Sequence, residues 1–196
     1  MEPISVVFYG KSGAGKGTQA NLLVDYLTKD DSAREIIYLQ TGKLLRELME
    51  RPEFIPQKVK QGLGNGELMP SFLPIYLWSR EFINRYSGDE HIILDGLSRR
   101  AYESPVLENA LLYMERPNTK VIVLDIAEEV AFERLRSRAR YDDSDENIKE
   151  RLKWYEENVT PAIAFFKDEG KFDVHTIDGA RDEEAVHKEV LEILGV

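Results

Sequence analysis

Short apolar runs alternate with longer amphipathic stretches along the chain. The apolar runs have the length of strands and lie at residues 4–9, 35–39, 91–94, 121–126 and 172–177. The middle runs are apolar at consecutive positions, which is typical of strands in a parallel sheet that is covered on both faces. The pattern therefore predicts five strands.

Between these runs, apolar residues recur at helical spacing. The pattern predicts helices near residues 16–29, 42–50, 71–86, 101–115, 128–139, 145–157, 160–169 and 182–194. Asp182 is expected to cap the last helix, and residues 143–146 are typical of a capping box. This alternation of strands and helices favours a three-layer α/β fold with right-handed crossovers.

The chain length of 196 residues predicts one domain with a single good core. Two segments are not explained by a simple alternation of strands and helices. Residues 41–70 hold more helix than one crossover requires, and residues 139–144 interrupt a helical region with Tyr-Asp-Asp-Ser at their end.

Composition excludes several functions. The formal net charge is −10, which opposes a general role on nucleic acids or anionic membranes. There is no cysteine, the histidines are isolated, and no apolar run is long enough to span a bilayer, so no zinc site and no membrane segment are expected. The N-terminus carries no export signal, and the protein is expected to be cytoplasmic.

A glycine-rich loop follows the first predicted strand. Its spacing Gly10-x-x-x-x-Gly15-Lys16 is that of a phosphate-binding loop. A flexible turn is the ordinary alternative, but this loop opens a helix, so backbone N–H groups and the helix N-terminus converge on one place that favours an anion. The usual next residue is Ser or Thr, whereas here Gly17 intervenes before Thr18.

Arginines alternate at positions 134, 136, 138 and 140. Such runs are usually solvated helix ends that complement the helix dipole. However, Arg134 and Arg138 are four apart and share one helical face, which favours a role on phosphate. Arg140 can converge with them if the helix breaks before Tyr141, while Arg136 is expected to be surface.

The loop Gly13-Ala14-Gly15-Lys16-Gly17-Thr18 resembles that of adenylate kinases and their UMP/CMP kinase relatives, which carry glycine after the lysine and then threonine. The resemblance implies a P-loop NTPase fold and Mg²⁺ that is held mainly by phosphates and waters. It also implies an ATP site formed by Gly13, Ala14, Gly15, Lys16, Gly17, Thr18, Arg134 and Gly179.

Further motifs continue the resemblance in order to about residue 180. Residues 41–46 are similar to the family's T-G-D-x-x-R, residues 66–70 to G-x-L-V-P, and residues 95–99 to D-G-F-P-R. The monophosphate site that this implies comprises Thr41, Gly42, Arg46, Glu67, Leu68, Met69, Gly96, Arg99, Glu103, Arg140 and Arg151. Asp95 is implied to lie near Mg²⁺, which it would hold through water.

The resemblance also implies a division of the domain. A monophosphate-binding insert would span 41–70 and a short lid 138–144, with the core formed by 1–40, 71–137 and 145–196.

Two departures from the family bear on the monophosphate site. Leu97-Ser98 replaces Phe-Pro, and because a cis bond before serine costs about 3–4 kcal/mol, we predict a trans bond there. Position 103 is Glu, where adenylate kinases usually have Gln and UMP/CMP kinases Asn. An ionised Glu can only accept hydrogen bonds, which weakens the selection of adenine without choosing a replacement.

The function that the resemblance implies is reversible phosphoryl transfer from Mg·ATP to a nucleoside monophosphate, with AMP favoured, by a monomer. The charge of the transferred group would be carried by Lys16, Arg99, Arg134, Arg138, Arg140 and Arg151. A kinase that prefers UMP, CMP or GMP differs only in the base pocket and stays open. A silent nucleotide-binding module is expected to have lost one of these cations, and none is missing.

Overall fold

The computed structural model describes residues 1–138 and 143–196. Its strands are β1 (Ser5–Tyr9), β2 (Ile36–Gln40), β3 (His91–Asp95), β4 (Lys120–Asp125) and β5 (Asp173–Asp178). They form one sheet in the order β2-β3-β1-β4-β5, and every neighbouring pair is parallel. The predicted five-stranded parallel sheet is therefore confirmed, with strand ends shifted by at most one residue.

Helices connect the strands in the described part of the chain. They are α1 (Lys16–Asp30), α2 (Thr41–Met49), α3 (Phe54–Gly64), α4 (Phe72–Arg85), α5 (Ser104–Tyr113), α6 (Glu128–Arg138), α7 (Asp145–Trp154), α8 (Thr160–Asp168) and α9 (Glu183–Leu194). A 3₁₀ turn (Ala101–Glu103) precedes α5, and a π-helical turn (Tyr155–Val159) joins α7 directly to α8. None of the described helices is long and apolar enough to cross a membrane.

The sheet separates two apolar clusters, as a three-layer fold requires. Along β1, Val7 and Tyr9 belong to one cluster, whereas Val6 and Phe8 belong to the other. Successive side chains of a strand point to opposite faces, so consecutive apolar residues are buried only when both faces are covered. This confirms the P-loop α/β architecture expected from the sequence.

The predicted cap at the start of α9 is confirmed, whereas the cap at the start of α7 lies one residue later than the predicted capping box. The Ser144 hydroxyl accepts a hydrogen bond from the Asn147 backbone N–H at the start of α7, and the Asp182 carboxylate accepts one from Ala185 at the start of α9. Each cap satisfies a backbone donor that has no partner inside the helix.

Two helical features differ from the hydrophobic pattern. Helix α3 lies within residues 41–70, where the pattern indicated extra helix without locating it; Pro56 inside it weakens the helical signal. The predicted helices 145–157 and 160–169 are continuous, because the π-helical turn carries the chain through Val159 without a break.

The bond between Leu97 and Ser98 is trans, as predicted, and no peptide bond in the described residues is cis. Ser98 instead adopts a left-handed backbone with φ of 56°. Its buried hydroxyl lies 2.8 Å from that of Ser104, so a hydrogen bond accompanies this conformation at the start of the segment that carries Arg99.

Candidate active site

A cavity of about 680 Å³ lies at the carboxyl ends of β1, β2 and β3. Ligands of open parallel sheets bind at this edge, where the loops after the strands converge. Its lining includes Asp95 and many cationic side chains. The predicted cations that line it are Lys16, Arg46, Arg99, Arg134, Arg138 and Arg151. Side chains scattered over more than 130 residues of sequence thus meet around one volume.

The glycine loop between β1 and α1 forms one wall of this cavity. Gly10 has a φ of 143°, and a Cβ there would lie 2.3 Å from the carbonyl oxygen of Leu124, so only glycine fits. Gly15 caps α1 in a left-handed conformation. The Lys16 ammonium donates to the carbonyl oxygens of Gly10 and Lys11, at 2.8 and 2.9 Å. The loop therefore holds both the helix N-terminus and a cation at the cavity.

Burial lowers the pKa of Lys16 to about 8, and the positive charges of Arg99 and Arg138 add to this, whereas Asp95 opposes it. A lowered lysine pKa is expected where several cations are crowded together. An anion bound in the cavity would raise this pKa again.

Asp95 ends β3 and is buried, with a side chain that faces the cavity. One of its oxygens accepts a hydrogen bond of 2.5 Å from the Gln40 side chain at the end of β2. Gly17 packs here, since a Cβ on it would lie 3.4 Å from the Gln40 amide nitrogen and 3.6 Å from the Asp95 carboxylate. A serine at position 17 would therefore place its hydroxyl beside Asp95.

The described residues include no group of three or more His, Asp or Glu side chains that could hold a metal alone. A single carboxylate beside a phosphate loop instead suits Mg²⁺, which keeps several waters and takes its other ligands from substrate phosphates.

Arg99, on the segment that follows β3, also lines the cavity. Its Nε donates to the carbonyl oxygen of Gly96 at 3.1 Å, and its guanidinium carbon lies 5.6 Å from the centre of the Trp154 ring. Burial lowers the pKa of Arg99 from its ordinary value, and the nearby charges of Arg46 and Arg151 act in the same direction. A second phosphate would relieve this crowding of positive charge.

Arg134 connects the glycine loop to the loop after β5. Its guanidinium donates to the carbonyl oxygens of Gly179, at 3.0 Å, and Gly13, at 3.4 Å. Gly179 packs beside Ala14, because a Cβ on it would lie only 3.1 Å from the Ala14 carbonyl oxygen. Residues 14 and 179 thus adjoin the cavity without lining it.

Arg138 and Arg151 share one carboxylate. Asp143 accepts hydrogen bonds from Arg138 at 2.8 and 2.9 Å and from Arg151 at 2.5 Å, and its side chain is fully enclosed. Two guanidinium groups from different helices are thereby held together at the cavity. Arg140, which was predicted to join them, lies outside the described residues.

A smaller cavity adjoins the first beneath the insert. The side chains of Thr41, Leu68 and Met69 line it together with Glu103. Thr41 is 2% exposed, and its hydroxyl has no hydrogen-bond partner in the described part of the chain. The predicted monophosphate-binding residues that the structure describes are thus divided between the two cavities, and Glu67 and Arg99 line both. Gly96 is the exception, since it lines neither of these cavities, although its carbonyl oxygen accepts the hydrogen bond from Arg99.

Glu103 is 1% exposed, and donors surround its carboxylate. One oxygen accepts from the backbone N–H groups of Arg99 and Arg100, at 2.6 and 3.2 Å. The other accepts from the Ser71 hydroxyl and from the Arg100 guanidinium, the latter at 3.5 Å. A carboxylate has about four acceptor positions, so these four donors engage it fully.

The side chains at the site that were not predicted from the sequence include Gln40, Arg100 and Trp154. Arg100 donates to the carbonyl oxygens of Leu68 and Met69, at 3.2 and 2.7 Å, and so ties the insert to the core. Trp154 carried a weak signal, because it stands three residues after Arg151 and shares its helical face. Gln40 directly precedes Thr41 at a strand end, but its residue type points to no particular chemistry.

Comparison with known proteins agrees with this geometry. The model of the adenylate kinase family matches residues 8–171. Adenylate kinase 1 of Nostoc sp. is 33% identical over 190 residues, which cover 97% of this chain and 98% of that protein. An adenylate kinase of Prochlorococcus marinus subsp. pastoris is 35% identical over 163 residues, or 83% of each chain. The chain therefore belongs to the adenylate kinase family.

Proposed function

We propose that the protein is an adenylate kinase, which transfers a phosphoryl group reversibly from Mg·ATP to AMP and yields two molecules of ADP. The observation that carries this is the meeting of six of the predicted cationic residues around one cavity that the phosphate loop also lines. The triphosphate of ATP and the phosphate of AMP can be neutralised there despite the net charge of −10.

The residues divide between a donor side and an acceptor side. The glycine loop, Lys16 and Arg134 would bind the phosphates of ATP, with the adenine beside Gly179. Arg46 and Arg99 would bind the phosphate of the acceptor beneath the insert. Arg138 and Arg151 would bear the charge of the group in flight, and we assign Arg140 to the same task.

The chemistry requires no general base, because the attacking phosphate oxygen is already anionic. Catalysis then consists of alignment and of charge stabilisation in a site that excludes water. Insert 41–70 and lid 138–144 would close over the substrates for this purpose. One copy of the chain supplies both sides of the cavity, which supports a monomeric enzyme.

Mg²⁺ would be held by Asp95 through water and by the nucleotide phosphates, and it would supply charge neutralisation at the β- and γ-phosphates. Gln40 holds the Asp95 carboxylate in place for this role.

The proposed activity is tested by steady-state rates with Mg·ATP and each of AMP, GMP, CMP and UMP as acceptor, for the wild type and for Glu103→Gln. We expect AMP to be the best acceptor. We expect Glu103→Gln to lower kcat/KM about tenfold for all four acceptors alike, because the carboxylate holds the backbone that carries Arg99.

If Glu103 instead recognises the base of the acceptor, a different result is expected. The ratio of kcat/KM for AMP to that for the other acceptors would then change in Glu103→Gln. Unchanged kcat/KM values for all four acceptors would mean that Glu103 has no role in the site. A wild type that turns over UMP, CMP or GMP faster than AMP would replace the proposed acceptor, and absence of turnover with every acceptor would contradict the enzyme.

Binding of ATP is expected to be coupled to proton uptake by Lys16. With a pKa of about 8 in the free protein, Lys16 is about half deprotonated at pH 8, and the phosphates of ATP restore its charge. Calorimetric titration in buffers of different ionisation enthalpy should show uptake of about half a proton at pH 8 and close to none at pH 6.5. Affinity should fall as the pH rises above 8.

Lys16→Arg is the matched variant for this titration, because a guanidinium stays protonated throughout the range. It should bind ATP without proton uptake at pH 8. Uptake that persists in Lys16→Arg, or that is absent in the wild type, would assign the pH dependence to another group.

A further inference from the structure

Trp154 stands at the junction of three parts of the site. It is the last residue of α7, directly before the π-helical turn, and is 9% exposed. Its side chain lines the large cavity together with Arg99 and Gly66. None of the motifs that led to the site includes it.

The edge of the indole contacts the insert. Its Nε1–H donates to the carbonyl oxygen of Gly66 at 3.2 Å in a buried hydrogen bond. Two turns earlier on α7, the Asn147 side chain donates to the carbonyl oxygen of Gly64 at 3.1 Å. Helix α7 therefore holds the turn at the tip of the insert through two side-chain donors.

The fit between this turn and α7 is close. Gly66 has a φ of 73° and is buried, and a Cβ on it would lie 3.2 Å from the side-chain oxygen of Asn147. A side chain there would be strained by the positive φ, and Asn147 would have to shift by a few tenths of an ångström. The turn at Gly66 therefore packs directly against α7 beside the two hydrogen bonds.

The face of the same indole contacts Arg99. The guanidinium carbon lies 5.6 Å from the ring centre, within the range of a cation–π interaction. The Arg99 Nε–H is directed to the Gly96 carbonyl oxygen at 3.1 Å. The guanidinium is thereby fixed on two sides, and Trp154 supplies one of them.

We propose that Trp154 is a positioning residue that couples docking of the insert to placement of Arg99. The hydrogen bond to Gly66 sets the plane of the indole, and this plane sets where the Arg99 guanidinium lies. Binding of the acceptor under the insert and stabilisation of its phosphate by Arg99 then depend on one side chain. The identity of the acceptor phosphate rests on the proposed function, whereas the contacts themselves do not.

Two variants separate the edge of the indole from its face. Trp154→Phe keeps an aromatic face but loses the N–H donor, and is expected to raise KM for AMP about fivefold to tenfold with kcat within twofold of the wild type. Trp154→Leu loses both, and is expected to raise KM similarly and also to lower kcat about tenfold. KM for ATP should stay within twofold in both. Equal kcat values for the two variants, or KM values for ATP and AMP that rise together, would overturn the proposal.

A second readout does not depend on activity. The Arg99 Nε–H should give a resolved ¹⁵N–¹H resonance, because it is hydrogen-bonded, and its proton should be shielded by the indole ring. Trp154→Leu should shift this resonance downfield and Trp154→Phe should shift it less. An Arg99 resonance that stays in place in Trp154→Leu contradicts the proposal.

Trp78→Phe is the matched control. Trp78 is the other tryptophan of the chain, lies in the core, and its N–H has no partner in the described residues, so its loss removes no hydrogen bond. It should leave both KM values and the Arg99 resonance unchanged. If the wild type fails to phosphorylate AMP, the proposed function fails, while the resonance of Arg99 still decides the role of Trp154.

Discussion

Replacing Lys16 with methionine is expected to lower kcat about 10³-fold. The ammonium is the only lysine charge that the glycine loop directs into the cavity, through its contacts with the carbonyl oxygens of Gly10 and Lys11. Methionine has a similar length and no charge. The variant therefore keeps the packing of the loop but loses the cation that would stabilise the phosphoryl group during transfer. KM for ATP should rise far less than kcat falls, because the backbone N–H groups of the loop remain.

Lys29→Met is the matched control for that variant. Lys29 lies on the same helix, α1, and is exposed at its last turn, so the substitution removes one lysine charge away from the site. Its kcat should stay within twofold of the wild type. The kcat of each variant is measured with ATP and AMP. A kcat of Lys16→Met within tenfold of the wild type would mean that Lys16 does not stabilise the transition state.

Arg138→Met is expected to lower kcat by a similar factor, about 10³-fold or more, as for other guanidinium groups that stabilise a phosphoryl group in flight. Arg138 reaches the cavity from α6 and is held there by Asp143 at 2.8 and 2.9 Å. The Asp143 carboxylate keeps its partner Arg151 at 2.5 Å in the variant, so the enclosed charge stays paired and the fold is preserved.

Arg136→Met provides the comparison on the same helix. Arg136 is 72% exposed in its side chain, and its ion pair with the Asp145 carboxylate spans 4.0 Å. Surface ion pairs of this kind contribute little, so kcat and thermal stability should be close to those of the wild type. Equal losses in Arg136→Met and Arg138→Met would mean that overall charge, and not the position of Arg138, drives catalysis.

The sheet could be predicted from the sequence because its signal is local. Consecutive apolar residues such as 121–124 are buried on both faces of a covered parallel sheet. Helix α3 could not be located in the same way, since Pro56 inside it weakens the helical signal. It packs on α2, and this tertiary contact cannot be read from the residues of α3 alone.

The part of the site that residue spacing and sequence motifs indicate could be predicted. Arg134 and Arg138 are four residues apart and do lie on the same side of α6 at the cavity. The contact between Ser71 and Glu103 could not be predicted, because the two residues are 32 positions apart and meet only through the tertiary fold. The same holds for Arg100, whose guanidinium contacts the insert at Leu68 and Met69.

The contacts of Glu103 also change the question of base selection. Residue type alone suggested a carboxylate that reads the acceptor base. The geometry supports a carboxylate that orders the backbone of Arg99 and Arg100, with Arg100 in turn fixing the carbonyl groups of the insert. The acceptor panel with Glu103→Gln distinguishes these two roles.

The central claim is that cations distant in sequence surround one transferable phosphoryl group between two nucleotides. It is tested most directly by ¹⁹F NMR of the protein with Mg²⁺, ADP, AMP and aluminium fluoride, which mimics that group in flight. We predict bound fluorine resonances that require both nucleotides, and that are lost in Arg138→Met but kept in Arg136→Met. Bound resonances that form with ADP alone, or that survive in Arg138→Met, would contradict the claim.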